Sequence, residues 1–261
     1  MPDLAKVGAA MRGAVTAARR RSLDPPVRFL LLTSGRSGST LLISLLESVP
    51  GVRCGTEVLR AYRGDPAARL RKIARREAIT GATAWGTSVH PEHLLFTQTT
   101  DSPAWVEDRH DEGYGLILLT RANAVGTALS VLVAEATGRW HQHAAEGGGE
   151  APAVVIDPAR LLKVVLHVEG STQAARRMVG NRSHLALDYD TDLAEAEGHQ
   201  VTADRVCAFL GVPSGPVSST LRKRRVPMLD QVANLDQVRS VLGPTRFGAL
   251  LDRVDEPRPT T

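Results

Sequence analysis

Short apolar runs, each the length of a buried β-strand, recur along the chain. They are Val27–Thr33, Ala82–Val89, Gly115–Thr120 and His184–Asp188. Continuous apolar runs of this size are typical of parallel strands that are covered on both faces. Segments with helical spacing of apolar residues alternate with them: Leu41–Val49, residues 60–79, Asn123–Ala136, Pro158–Val179 and Ala203–Leu210. This alternation predicts an α/β protein with three layers, α/β/α, around a mainly parallel central sheet.

Length and composition favour one globular domain. The chain has 261 residues, 43% hydrophobic and 23% charged, which excludes general disorder. We expect a basic helical extension at residues 1–26, the main domain at 27–250 and a tail at 251–261. Two distant cysteines exclude a disulfide framework and a Cys-rich zinc site. No apolar run reaches the roughly 18–20 residues of a membrane span. Residues 5–21 are basic but contain no compact apolar segment and no clear cleavage signal of a targeting peptide, so we expect a cytoplasmic protein.

The charge balance gives weaker information. A net charge of +4 slightly favours an anionic partner, although a general bias toward arginine explains it equally well. Aromatic residues make up only 4%, which leaves little surface for stacking nucleic-acid bases. We therefore expect no nucleic-acid partner.

The segment S-G-R-S-G-S-T connects the first strand to the first helix. Its glycines allow a tight turn, and backbone N–H groups at a helix start bind phosphate or sulfate. Hydroxyls and one permanent positive charge add to this site. The candidate anion-binding residues are Gly35, Arg36, Ser37, Gly38, Ser39 and Thr40.

The same segment lacks two features of nucleotide hydrolases. No lysine precedes Ser39 or Thr40, as the Walker A sequence requires. The third predicted strand ends in Thr120-Arg121 rather than in a Walker B aspartate. Both absences disfavour magnesium-dependent hydrolysis of ATP or GTP. Arg121 nevertheless ends a strand, and Ser130 lies about two and a half helical turns further on, so both can converge on one anion.

These residues resemble sulfotransferases that use 3′-phosphoadenosine 5′-phosphosulfate (PAPS). S-G-R-S-G-S-T-L-L is similar to their 5′-phosphosulfate loop, and Arg121 with Ser130 to their 3′-phosphate motif. A-E-A-T-G-R-W, at 134–140, resembles a segment of the bacterial trehalose-sulfotransferase branch. The corner at 187–193 and Phe209–Val212 match more loosely, so the resemblance covers most of residues 27–250.

The resemblance implies a P-loop-like fold and a role for each motif. Residues 34–40 would hold the 5′-phosphosulfate, and Arg36 would offset charge on the leaving phosphate. Arg121 and Ser130 would clamp the 3′-phosphate. Lys223 and Arg224 would close over the nucleotide, although a solvated charged face explains that basic run equally well. The cofactor would be PAPS, the product 3′-phosphoadenosine 5′-phosphate (PAP), and no metal would take part.

Sulfuryl transfer also needs a base for the acceptor proton. The resemblance makes Glu57 the first candidate, because relatives carry an acidic residue in the corresponding segment. His90, after the second predicted strand, is the rival base. Ser88 stands where many relatives have a lysine, so either one cation near the sulfuryl group is missing here or Arg36 alone supplies it.

The implied activity is transfer of a sulfuryl group to a hydroxyl of a small molecule or glycan, a carbohydrate or glycosylated metabolite. A P-loop-like nucleotide kinase and an inactive nucleotide-binding protein of the same fold remain alternatives. Relatives form dimers often enough that a homodimer is a reasonable expectation. The pairs H-x-x-H (His90, His93) and H-x-H (His141, His143) lack further ligands at zinc spacing, so we expect no metal.

Overall fold

A five-stranded parallel sheet forms the centre of the protein. The computed structural model describes residues 26–95, 101–139, 152–219, 221 and 226–255. The strands are β1 (Val27–Thr33), β2 (Val52–Gly55), β3 (Ala84–Val89), β4 (Tyr114–Thr120) and β5 (Leu185–Asp188). Their order in the sheet is β2-β3-β1-β4-β5, and every neighbouring pair is parallel.

Nine helices are described around this sheet. They are α1 (Ser39–Ser48), α2 (Pro66–Ile79), α3 (Pro91–Leu95), α4 (Ser102–Asp111), α5 (Ala124–Thr137), α6 (Pro158–Val179), α7 (Glu197–Leu210), α8 (Leu235–Leu242) and α9 (Gly248–Asp252). A short π-helical turn, Tyr189–Leu193, follows β5, and a 3₁₀ turn, Leu229–Gln231, precedes α8. The predicted α/β class is confirmed, whereas β2, α3 and α4 were not predicted from the sequence.

Successive side chains of β1 point to opposite faces of the sheet and so contact the helical layers on both sides. Phe29 and Leu31 pack with α1 and α7 on one face of the sheet. Leu30 and Leu32 pack with α2, α4 and α6 on the other face. All four side chains are at most 1% exposed. Each contributes about 1.5–3 kcal/mol by leaving water, so β1 holds both layers to the sheet.

One close contact explains a glycine in β3. Gly86 pairs with Phe29 of β1, and a Cβ atom at Gly86 would lie 2.3 Å from the Phe29 ring. The absence of a side chain at Gly86 therefore makes room for an aromatic ring between the sheet and its helices.

A third apolar cluster extends the fold beside the sheet. It joins α5, α6, α8 and α9. The side chain of Asn234, just before α8, is hydrogen-bonded to the backbone of Ile156, just before α6. Its Oδ1 accepts from Ile156 N and its Nδ2 donates to Ile156 O, each at 2.8 Å. Leu251 is buried in the cluster, so α9 continues past residue 250, where we expected the tail to begin.

The parallel arrangement gathers all the strand ends. The carboxyl ends of the five strands lie at one edge, which we call the carboxyl edge. The chain leaves β1 toward β2 on one side and leaves β4 toward β5 on the other. Ligands of such sheets bind where connections diverge, which here is the crevice between β1 and β4.

Two further expectations concern the ends of the chain and the membrane. The basic extension expected at residues 1–26 lies, apart from Pro26, outside the described residues. Within the described residues, no helix combines the length and apolar character needed to cross a membrane.

Candidate functional site

The loop between β1 and α1 is a tight turn held by buried hydroxyls. Ser37 is fully buried; its Oγ donates to Ser34 O at 2.8 Å and is hydrogen-bonded to the Thr33 hydroxyl. The Ser34 hydroxyl lies 3.2 Å from that of Thr172 on α6. The Ser37 hydroxyl, expected to face a ligand, thus serves the shape of the loop. Ser39 is also buried, and Thr40 is half-buried.

The start of α1 has backbone N–H groups that no side chain caps. Gly38 is the N-cap residue, with φ of 92°, and no side chain caps the helix. Asp or Asn side chains cap α2, α4, α5 and α6, whereas α7, α8 and α9 also lack a side-chain cap. The first N–H groups of a helix lack partners within it, and an anion satisfies them well.

An aromatic side chain covers this loop. A Cβ atom at Gly38 would lie 2.3 Å from the ring of Tyr189, which opens the π-helical turn after β5. The guanidinium carbon of Arg121 lies 4.8 Å from the centroid of the same ring. Arg121 Nε also donates to Asp190 Oδ1 at 3.3 Å. Tyr189 therefore couples the loop after β1 to the arginine after β4.

The second cation at the crevice is Arg36. Its backbone has φ of 62°, in the left-handed region that non-glycine residues rarely adopt. Its Nε and Nη2 lie 3.3 and 3.1 Å from Ser130 Oγ, and Ser130 is buried on α5. The guanidinium thus spans the crevice from the loop to α5.

The expected pair of Arg121 and Ser130 has different partners. Ser130 accepts from Arg36, and Arg121 donates to Asp190. Arg36 donates to the Ser130 hydroxyl, which we expected to bind a phosphate together with Arg121. In this arrangement the two cations lie in the loops that follow neighbouring strands.

Glu57 lies after β2, on the other side of the carboxyl edge. Its φ is 48°, and its backbone N–H donates to Ser88 Oγ at 3.1 Å. Carboxylate oxygen Oε1 lies 3.7 Å from His90 Nε2, and Oε2 lies 3.6 Å from His93 Nε2. Arg60 Nη1 approaches Oε2 at 3.5 Å. Both base candidates, Glu57 and His90, therefore belong to one cluster.

Burial keeps the two histidines neutral. Their rings are stacked, with centroids 4.5 Å apart and planes 9° apart. Burial lowers the pKa of His90, and it lowers the pKa of His93 to about 4, with a further lowering from His90. At neutral pH both imidazoles are uncharged, so each has one nitrogen able to accept a proton.

The expectation that no metal takes part stays a prediction. In the described part of the chain, no group of three His, Cys, Asp or Glu residues could hold a metal ion.

Some expected site residues cannot be placed. Lys223 and Arg224 lie outside the described residues, as do Trp140, His141 and His143.

Three residues that the site contains were not proposed for it from the sequence. Tyr189, Asp190 and His93 take part through contacts between segments far apart in the chain. The H-x-x-H spacing singled out His93 only as a possible metal ligand. The sequence places the corner at 187–193 at the same sheet edge as the loop, but it does not show that Tyr189 covers Gly38, because that contact depends on the π-helical turn.

The chain matches no family model, and no curated protein is significantly similar to it.

Proposed function

We propose that this protein is a PAPS-dependent sulfotransferase. It transfers a sulfuryl group to a hydroxyl of an acceptor, a carbohydrate or a glycosylated metabolite. The observation that carries the proposal is the crevice between β1 and β4, where the uncapped start of α1, Arg36 and Arg121 offer several donors to a nucleotide with two separate anionic groups. Oriented donors and guanidinium groups of this kind bind phosphate and sulfate.

The nucleotide would lie on the β1, β4 and β5 side of the carboxyl edge. The N–H groups at the start of α1 would hold the 5′-phosphosulfate, and Arg121 would reach the 3′-phosphate. Arg36 would exchange its contact with Ser130 for the leaving phosphate and free the Ser130 hydroxyl for the nucleotide. Asp190 accepts a hydrogen bond from Arg121 in the structure, and the 3′-phosphate would compete with Asp190 for this guanidinium group.

The acceptor would lie on the β2 and β3 side. Glu57 follows β2, and the anion loop follows β1, with β3 between them. Since neighbouring strands lie about 4.8 Å apart, the axes of β2 and β1 are about 10 Å apart. This spacing leaves room for a hydroxyl between the carboxylate and the sulfuryl group.

The reaction balances without a further reactant. The acceptor oxygen attacks sulfur, and the bond from sulfur to the bridging phosphate oxygen breaks. PAP leaves with the negative charge, which Arg36 and the loop donors stabilise. The hydroxyl proton passes to Glu57 or to His90.

Radiolabelled PAPS and a panel of mono- and disaccharides test the proposal. Wild-type protein should transfer the label to at least one sugar. The Glu57→Gln variant should lose about 100-fold or more of that rate, as expected when a general base is removed. Glu47→Gln, on the exposed face of α1, is the matched control and should keep the rate.

The remaining outcomes separate the alternatives. Loss of transfer in His90→Asn with little change in Glu57→Gln would make His90 the base. Tight binding of PAP without any transfer would favour an inactive nucleotide-binding protein. Turnover of ATP that requires magnesium would replace the proposal with a kinase.

A further inference from the structure

The cluster around Glu57 contains a histidine, His93, whose role we derive from its contacts. Only two non-glycine residues in the described part of the chain have positive φ, and they are Glu57 and Arg36. Such a backbone costs about 1–2 kcal/mol for an L-residue. At Glu57 it is held by Ser88, a fully buried residue of β3 whose Oγ accepts the Glu57 N–H. The backbone is therefore fixed, and the direction of the carboxylate depends on the side chains around it.

Contacts with the backbone define the tautomer of His93. Its Nδ1 lies 3.4 Å from the backbone N of His90, which is a donor. An imidazole nitrogen that accepts a hydrogen bond carries no proton. Neutral His93 therefore carries its proton on Nε2, and this is the atom that faces Glu57 Oε2 at 3.6 Å. Hydrogen bonds of catalytic groups are often long before the substrate binds, so this distance is compatible with a bond that tightens.

The two carboxylate oxygens of Glu57 are consequently unequal. Oε2 faces the His93 Nε2–H group and Arg60. Oε1 faces His90 Nε2, a buried nitrogen with no hydrogen-bond partner among the described residues. Oε2 has two donors beside it, so Oε1 takes the acceptor proton, which requires that His90 Nε2 carry no proton.

We infer that His93 is a positioning residue, whose Nε2–H holds Oε2 of Glu57 and directs Oε1 to the acceptor hydroxyl. The inference rests on the proposed function, because it assigns a role within the same reaction. The proton moves from the acceptor hydroxyl to Oε1 of Glu57, and His93 keeps its own proton throughout.

A matched pair of substitutions tests this role. The side-chain amide of glutamine reaches the place of Nε2, whereas that of asparagine reaches only the place of Nδ1. His93→Asn can still accept from the His90 backbone but has no donor for Glu57. We expect it to lower kcat by about 10- to 100-fold, the effect of losing a hydrogen bond to a charged group, with the KM for PAPS unchanged. His93→Gln should keep most of kcat.

The order of the two variants distinguishes positioning from a structural role. If His93 only accepts the His90 backbone N–H, the asparagine variant would be the active one and the glutamine variant the damaged one. That result would overturn the inference. A proportional rise in the KM for PAPS would also overturn it, because donor binding does not involve this cluster.

A spectroscopic measurement on the wild-type protein separates this inference from the proposed function. Long-range proton–nitrogen correlation spectra at pH 7 show which ring nitrogen of His93 carries the proton. We expect the Nε2–H form, and the Nδ1–H form or a charged ring would refute the inference whatever the activity. If wild-type protein transfers sulfate to no acceptor while His93 shows the Nε2–H form, the proposed function has failed, and the catalytic role falls with it.

Discussion

Replacement of Gly38 by alanine tests how the loop, Tyr189 and Arg121 depend on one another. The new Cβ atom would lie 2.3 Å from the Tyr189 ring, so the ring or the loop must move by about 1 Å to reach an ordinary contact distance. The backbone at φ of 92° adds strain for any L-residue. The two costs, about 1–2 kcal/mol for the backbone and about 1–3 kcal/mol for overpacking, sum to about 2–5 kcal/mol.

The consequence for ligand binding follows from the same contacts. Arg121 lies against the Tyr189 ring, so displacement of the ring also displaces the guanidinium. Loss of one charged hydrogen bond weakens binding by about 1.5–3 kcal/mol, or about 10- to 100-fold. We therefore expect Gly38→Ala to bind PAP about 10- to 100-fold more weakly than wild type and to unfold at lower denaturant concentration.

A glycine outside the site offers a matched control for this experiment. A Cβ atom at Gly170, on α6, meets nothing within 4 Å, and Gly170 does not have positive φ. Calorimetric titration with PAP should find Gly170→Ala equal to wild type, and urea unfolding should find it at least as stable. The reasoning is refuted if Gly38→Ala binds PAP as tightly as wild type, or if both alanine variants lose the same affinity.

Three other expectations concern the base of the sheet, the histidine cluster and the loop cation. Glu112→Ala removes the carboxylate to which Arg109 Nη2 donates at 2.9 Å. Arg109 is buried, so its charge would be left without this partner, and urea unfolding should show a free energy of unfolding lower by about 2–4 kcal/mol. Asp111→Ala, an exposed neighbour, is the control, and equal stabilities of the two variants would contradict the argument. The pKa of His93 is lowered to about 4 in the folded state, so the ring takes up a proton less readily there than in the unfolded chain. The neutral ring therefore gives its full contribution to stability above about pH 6.5, and this contribution is lost as the pH falls toward 4. After a reduction for partial solvent exposure, the free energy of unfolding should fall by about 2 kcal/mol between pH 6.5 and pH 4. This fall should be absent in His93→Gln. A wild-type free energy of unfolding that does not change over this pH range would count against the argument. Arg36→Ala should lower kcat by about 100- to 1,000-fold in the sulfuryl-transfer assay, and Arg36→Lys should recover part of it. A wild-type kcat in Arg36→Ala would exclude a role of Arg36 at the leaving group.

The sequence predicts the fold where local pattern and tertiary packing agree. β1 is apolar on both faces because helices cover both, so its run of apolar residues identifies it. β2 has the sequence Val-Arg-Cys-Gly, and its strand conformation comes from pairing with β3, which the local sequence does not encode.

The candidate site shows the same division. The loop sequence predicts an anion-binding turn, because glycines and hydroxyls at a helix start have a defined chemistry. The contact from Arg36 to Ser130 joins residues 94 positions apart, and the one from Glu57 to Ser88 joins residues 31 apart. The left-handed backbone of Glu57 and Arg36 is also set by these surroundings, since neither residue type favours it.

Calorimetric titration of wild-type protein and Arg121→Ala with PAP, and with ATP and magnesium for comparison, tests the central claim most directly. Arg160→Ala, in which an exposed arginine loses its contact with Glu135, is the matched control. The account predicts that wild type and Arg160→Ala bind PAP tightly, and that Arg121→Ala binds it about 10- to 100-fold more weakly. Absence of PAP binding by wild-type protein, with binding of magnesium ATP in its place, would contradict the account.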